Sequence, residues 1–171
     1  MILAAMPNSP IRRLVLNDVG PFISTAAIRR IAQYVGANPR FRTLDEAERY
    51  IREINASFGP LTDEHWHHMV RYYTRPTPEG DFALAYDPGI DWILKREPVK
   101  DLDLWPVWEG VRCPVLLIRG AQSDVLLADT AREMVKQKPA TQLVELDGIG
   151  HAPALLSAEQ IKLVADWLLA P

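Results

Sequence analysis

From residue 111 to its C-terminus the chain alternates short apolar runs with amphipathic ones. Residues 114–118 read Pro-Val-Leu-Leu-Ile, and 141–146 form a second short apolar stretch. Residues 127–138 lie between them, and a stretch carrying Ile161, Val164 and Leu168 follows, opened by Ser157 and Gln160 as a capping box. Strand, helix, strand, helix is the pattern of a parallel sheet with helices on its faces. Residues 11–19 add a third strand, because Leu14, Val15 and Leu16 make a continuous apolar run suited to a sheet covered on both sides. Gly20 and Pro21 end it. The fold class expected is therefore α/β, with about three parallel strands flanked by helices.

Roughly ninety residues separate the first of these strands from the second, far more than a simple crossover needs. Most of them read as helical. Ile28, Ile31 and Val35 share one face, with Ser24 or Thr25 as cap and Gly36 as stop. Thr43 and Glu46 form a capping box ahead of Ala47, Tyr50, Ile51 and Ile54. Thr62 caps a third helix whose stripe is Trp66, Met69, Val70 and Tyr73, closed by Pro76 and Pro78. Residues 79–110 are broken by prolines and Gly89, which favours short helices and loops over strands. Residues 1–6 read as the end of a helix stopped by Pro7. Three strands make a small sheet for one buried on both faces, so the chain reads as the second half of a larger α/β domain.

Composition excludes several function classes. An apolar fraction of 48% with a net charge of −3 does not suit extended disorder. The same charge gives no reason to expect nucleic acid as partner. No apolar run reaches the length of a membrane helix, and residues 1–7 lack the pattern of a signal peptide. The expectation is a cytoplasmic protein acting on a small molecule. Cys113 is the single cysteine, which leaves neither a disulfide within the chain nor a cysteine cluster for zinc. His65, His67 and His68 do not make a metal site, since only His65 and His68 share a helical face and no partner completes the set.

In open α/β sheets the chemistry sits on loops leaving the carboxyl ends of strands. Three such loops are present. They carry Asn17 and Asp18; Gln122, Ser123 and Asp124; and Asp147, Gly148, Gly150 and His151. An aspartate from one strand end can fix the tautomer of a histidine from another. The second ring nitrogen is then free to act as a base.

The stretches 113–124 (Cys-Pro-Val-Leu-Leu-Ile-Arg-Gly-Ala-Gln-Ser-Asp) and 148–153 (Gly-Ile-Gly-His-Ala-Pro) resemble the acid and histidine loops of the α/β-hydrolase fold family. Acid before histidine agrees with the family's order of nucleophile, acid, histidine. The resemblance implies His151 as general base and Asp124 as triad acid. Asp18 is the alternative acid, since some members place it after the preceding strand. It further implies a core from 1–21 and 106–171, and a helical cap over 22–105. Trp66, Met69, Tyr73 and Trp105 are the cap-side candidates for a substrate pocket. No metal or organic cofactor is implied. The substrate expected is an ester, lactone or similar carbonyl compound.

The family's Gly-x-Ser-x-Gly elbow is absent. The serines are Ser9, Ser24, Ser57, Ser123 and Ser157, and none has that setting. The resemblance places the elbow just upstream of Met1, which makes this chain a fragment lacking its nucleophile and inactive alone. Two alternatives accompany this reading. One is a non-catalytic, truncated or degenerate fragment that packs on a partner, or on itself, through an exposed sheet. The other, within the fold, is a dehalogenase or epoxide hydrolase.

Overall fold

The apolar run at 114–118 forms the middle strand of a three-stranded parallel sheet. The computed structural model describes residues 1–93 and 98–170; residues 94–97 and 171, which fall inside the expected cap and core ranges, lie outside it. Helix α1 spans Ile2–Ala5 and strand β1 spans Leu14–Asn17. After the insertion come helix α5 (Trp105–Gly110), strand β7 (Val115–Gly120), helix α6 (Ala128–Gln137), strand β8 (Thr141–Leu146) and helix α7 (Ala158–Leu169). The sheet order is β1-β7-β8, with Leu14 opposite Val115 and Val115 opposite Thr141. Every residue of β7 is buried, which is what a central strand covered on both faces demands. Leu16, Trp108, Val115, Leu117, Leu126 and Met134 pack one core. Ser157 caps α7 by accepting from the Gln160 amide, but the expected box is only half formed, since Gln160 Oε1 makes no return bond.

The insertion contains helices α2 (Thr25–Ile31), α3 (Leu44–Ile54) and α4 (Asp63–Tyr73). It also contains short strands that the sequence did not announce. These are β2 (Phe22–Ile23), β3 (Arg40–Phe41), β4 (Thr74–Pro76), β5 (Phe82–Leu84) and β6 (Leu102–Asp103). They pair antiparallel as β2-β6 and β3-β5-β4. Residues 79–110 are therefore not helix and loop alone. Strands of two or three residues carry too little alternation to register as a period, and β4 includes Pro76 at an exposed edge position.

Ser24, Thr43 and Thr62 each cap their helix through the side-chain oxygen. The Thr43 box is only half closed, because Glu46 reaches back to the Arg42 amide at 2.7 Å. Phe41, Ile51, Trp66, Met69, Val70 and Leu84 give the insertion a core of its own.

Candidate functional site

The residue that follows strand β1 has an unusual backbone. Asp18 has φ of +56°, in the left-handed region that a non-glycine residue adopts only when its surroundings hold it there. Its amide still bonds to the Ile118 carbonyl at 2.7 Å, so it remains tied to the sheet edge. Its side chain is completely buried. A buried carboxylate has to be satisfied by donors, and three converge on this one. The Gly120 amide donates to Oδ1 at 2.8 Å, and the Ser123 hydroxyl donates to Oδ2 at 2.6 Å. His151 brings Nδ1 to Oδ2 at 2.8 Å.

The other two loops are shaped to let this happen. Ser123 accepts from the amides of Val125 and Leu126, both at 3.1 Å, which leaves its hydrogen free to point at Asp18. Gly120 lies under the histidine loop, where any Cβ would run into the carbonyls of Ile149 and Gly150. The two loops are tied by the Gln122 amide to the Ile149 carbonyl at 2.9 Å. Asn17 donates to the Pro153 carbonyl at 2.9 Å, fastening the far side of the histidine loop to the end of β1.

His151 is mostly buried, with 23% of its side chain exposed. With Nδ1 on Asp18, the imidazole presents Nε2 as the nitrogen available for proton transfer.

Asp124 stands elsewhere. Its carboxylate is half-exposed and faces Arg30 of α2, with contacts of 2.5 Å to Nε and 2.9 Å to Nη2. Burial works against the charge on Arg30. The hydrogen bond and charge of Asp124 outweigh it and hold the guanidinium above its ordinary value. Of the two candidate acids, the structure thus brings His151 together with Asp18 and pairs Asp124 with the insertion. The Ser123 amide bonds back to the Gly120 carbonyl at 2.9 Å, and it is this serine, not the Asp124 that the resemblance implied, that faces inward toward His151's partner.

The expected pocket residues scatter. Trp66 and Met69 are buried in the insertion's own core, and Arg52 lies over the Trp66 ring at 5.2 Å. Trp105 packs against the core beside the sheet. Tyr73 lines a cavity of about 450 Å³ together with Tyr34, Ile54, Tyr72, Leu84 and Tyr86. Burial raises the Tyr73 phenol above its ordinary value. Sequence reasoning missed Tyr34, Tyr72 and Tyr86 here.

The three neighbouring histidines go three ways. The His65 ring accepts from the Thr62 amide, His67 sits 3.4 Å from Glu48, and His68 packs on Tyr72. Among the described residues no group of three or more His, Cys, Asp or Glu gathers closely enough to hold a metal ion. None of the described helices is long and apolar enough to cross a membrane.

No protein-family model matches the chain. It is 37% identical over 175 residues to the 3-hydroxybutyrate-oligomer hydrolase of Cupriavidus necator, a match covering 98% of this chain and 60% of that protein. Its structure superposes on an α/β hydrolase of Novosphingobium aromaticivorans with a TM-score of 0.83 at 32% identity, covering 97% of this chain and 59% of the other. It also resembles E-2-(acetamidomethylene)succinate hydrolase in fold, with a TM-score of 0.77 at 20% identity, covering 96% of this chain and 60% of that one. The chain thus spans about 60% of the length of the curated relative it matches. With a parallel sheet flanked by helices, and with these likenesses running along nearly its whole length, the chain has the fold of the α/β hydrolases.

Proposed function

We propose that this chain supplies the base and its orienting acid to a hydrolase site that cleaves an ester. His151 is the general base and Asp18 is the acid. The observation that carries this is the 2.8 Å contact between His151 Nδ1 and the wholly buried Asp18 carboxylate. His151 Nε2 takes the proton of an attacking hydroxyl as that oxygen bonds to the ester carbonyl. It returns the proton to the departing alkoxide. Water repeats the sequence on the acyl intermediate, giving a free acid. Asp18 fixes the tautomer and stabilises the imidazolium.

The attacking hydroxyl comes from outside residues 1–171. Among the described residues every serine hydroxyl is engaged away from the imidazole ring. Ser9, Ser24 and Ser157 accept from nearby amides, Ser57 donates to the His151 carbonyl, and Ser123 donates to Asp18. The substrate class proposed is an oligomeric or simple ester of a short hydroxy acid, by likeness to the relative's named activity. The tyrosine-lined cavity is the proposed binding surface for its apolar part.

The test is a chimera in which residues 1–171 replace the matching segment of the Cupriavidus necator enzyme. The chimera is expected to hydrolyse 3-hydroxybutyrate oligomers. Activity should vanish with His151→Ala and survive Asp124→Asn. Retained activity in the His151→Ala chimera would defeat the proposal.

A second reading is favoured by one observation. Ile2, Leu3 and Met6 of the α1 region are more than half exposed, as are Leu168 and Leu169 at the other end of the chain. Under this reading the chain packs through these apolar residues on a partner or a second copy. Concentration-dependent assembly, with loss of dye binding on assembly, supports it. A monomer that melts sharply at one temperature over a wide concentration range speaks against it.

A further inference from the structure

His151 belongs to the long connection between β8 and α7, which has no regular secondary structure. Asp18 grips its ring, and Gln122 and Asn17 hold the flanking backbone at Ile149 and Pro153. At Gly150 and His151 themselves the backbone is held from the insertion, by a residue that sequence reading noticed only for not being a nucleophile.

Ser57 lies in a 3-10 turn, Ala56–Phe58, that directly follows α3. Its carbonyl accepts from the Gly150 amide at 2.7 Å. Its hydroxyl donates to the His151 carbonyl at 2.6 Å. Two consecutive residues of the histidine loop, Gly150 and His151, are therefore fastened to one residue far earlier in the chain. The fit is close on both sides. A Cβ on Gly150 would stand 3.0 Å from the Ser57 Cβ, and a Cβ on Gly59 would stand 2.6 Å from the Ile149 side chain. Gly59 has φ of +87°, so glycine is also what its backbone requires. The turn itself is braced. The buried Asn55 side chain donates to the Ile51 carbonyl at 2.8 Å, and the Phe58 amide bonds to the Asn55 carbonyl.

We infer that Ser57 is a positioning residue for His151, through which the inserted region sets where the imidazole stands against Asp18. The inference rests on the role proposed above for His151 and Asp18. Its consequence is that the insertion and the base move as one body. A shift of the 3-10 turn carries the His151 backbone with it.

The test uses the whole chain and proton NMR. The hydrogen on His151 Nδ1, held by Asp18, gives a far-downfield resonance whose exchange with water is measurable. The Gly150 amide is followed in parallel. Ser57→Ala should speed exchange of both protons about fivefold, the loss expected for one hydrogen bond. Ser57→Thr, which keeps the hydroxyl, should restore the wild-type rates. Gly150→Ala, which forces the turn away from the opposite side, should speed exchange at Nδ1 in the same sense. An unchanged Nδ1 rate in a folded Ser57→Ala protein would overturn the inference. A wild-type chain with no protected Nδ1 hydrogen would instead overturn the pairing of His151 with Asp18 on which the inference stands.

Discussion

The loops leaving β1 and β7 each carry an aspartate, and the two aspartates meet opposite fates. Asp18 is fully buried and collects donors from Gly120, Ser123 and His151. Asp124 is half-exposed and meets one guanidinium at the boundary with the insertion. Topology alone ranks them equally, since both stand at the carboxyl ends of adjacent parallel strands. What separates them is local. A left-handed residue turns the first carboxylate under the loop, and a serine takes the inward place beside the second. An orienting acid has to be dry and multiply held, whereas a surface tether has only to be near its partner.

Substitutions at the two loops pull this contrast apart. The largest effect is expected from Asp18→Asn in the chimera described above. It should cost about 10⁴-fold in kcat, because an amide leaves the geometry but favours the wrong tautomer. Asp124→Asn in the same chimera should stay within about threefold of the parent, since an exposed ion pair contributes little. Equal losses from both would erase the distinction.

Gly120→Ala comes next. Its methyl has only backbone carbonyls to push against, so the histidine loop has to lift. A destabilisation of about 2–3 kcal/mol is expected from urea midpoints at constant slope. A neutral result would mean that the loop is not seated as described.

Arg30→Ala should lower stability by about 0.5 kcal/mol at low salt, with the difference disappearing near 1 M salt in thermal melts. A salt-independent loss would point to packing of the arginine stem instead.

The smallest effect concerns Asp101, which ties the start of α2 by accepting from the Thr25 amide and hydroxyl. Those bonds hold its carboxyl below the ordinary carboxylate value. A carboxylate lowered on folding adds stability above its unfolded value, and that stability is lost as pH falls through the folded value. Wild type and Asp101→Asn should therefore differ slightly at neutral pH and converge in acid.

The legible parts of the fold were those with strong local signals. The apolar run 114–118 in β7, the amphipathic pattern of α7, and the caps Thr43, Thr62 and Ser157 stand where the sequence put them, and of Ser24 and Thr25 the cap is Ser24. The pairs β2-β6 and β3-β5-β4 were not legible, because each strand has two or three residues and its partner lies far along the chain. At the site, His151 announced itself through its glycine-rich surroundings after a strand. The preference between Asp18 and Asp124 did not, because it depends on the φ of Asp18 and on a serine hydroxyl that faces inward. One weak signal was available. Gly120 and Ser123 are small residues at the end of β7, suited to a close approach of the neighbouring loops. The clamp from Ser57 left no trace in sequence, since it reaches Gly150 and His151 from far earlier in the chain through a backbone carbonyl and one hydroxyl.

The most direct test of the account is the nitrogen-15 shift pair of the His151 imidazole at neutral pH, in the wild-type chain, Asp124→Asn and Asp18→Asn. The account predicts one tautomer, with hydrogen on Nδ1 and an open Nε2, in the first two proteins. It predicts loss of that preference in Asp18→Asn. A His151 whose tautomer ignores Asp18 and follows Asp124 would contradict it.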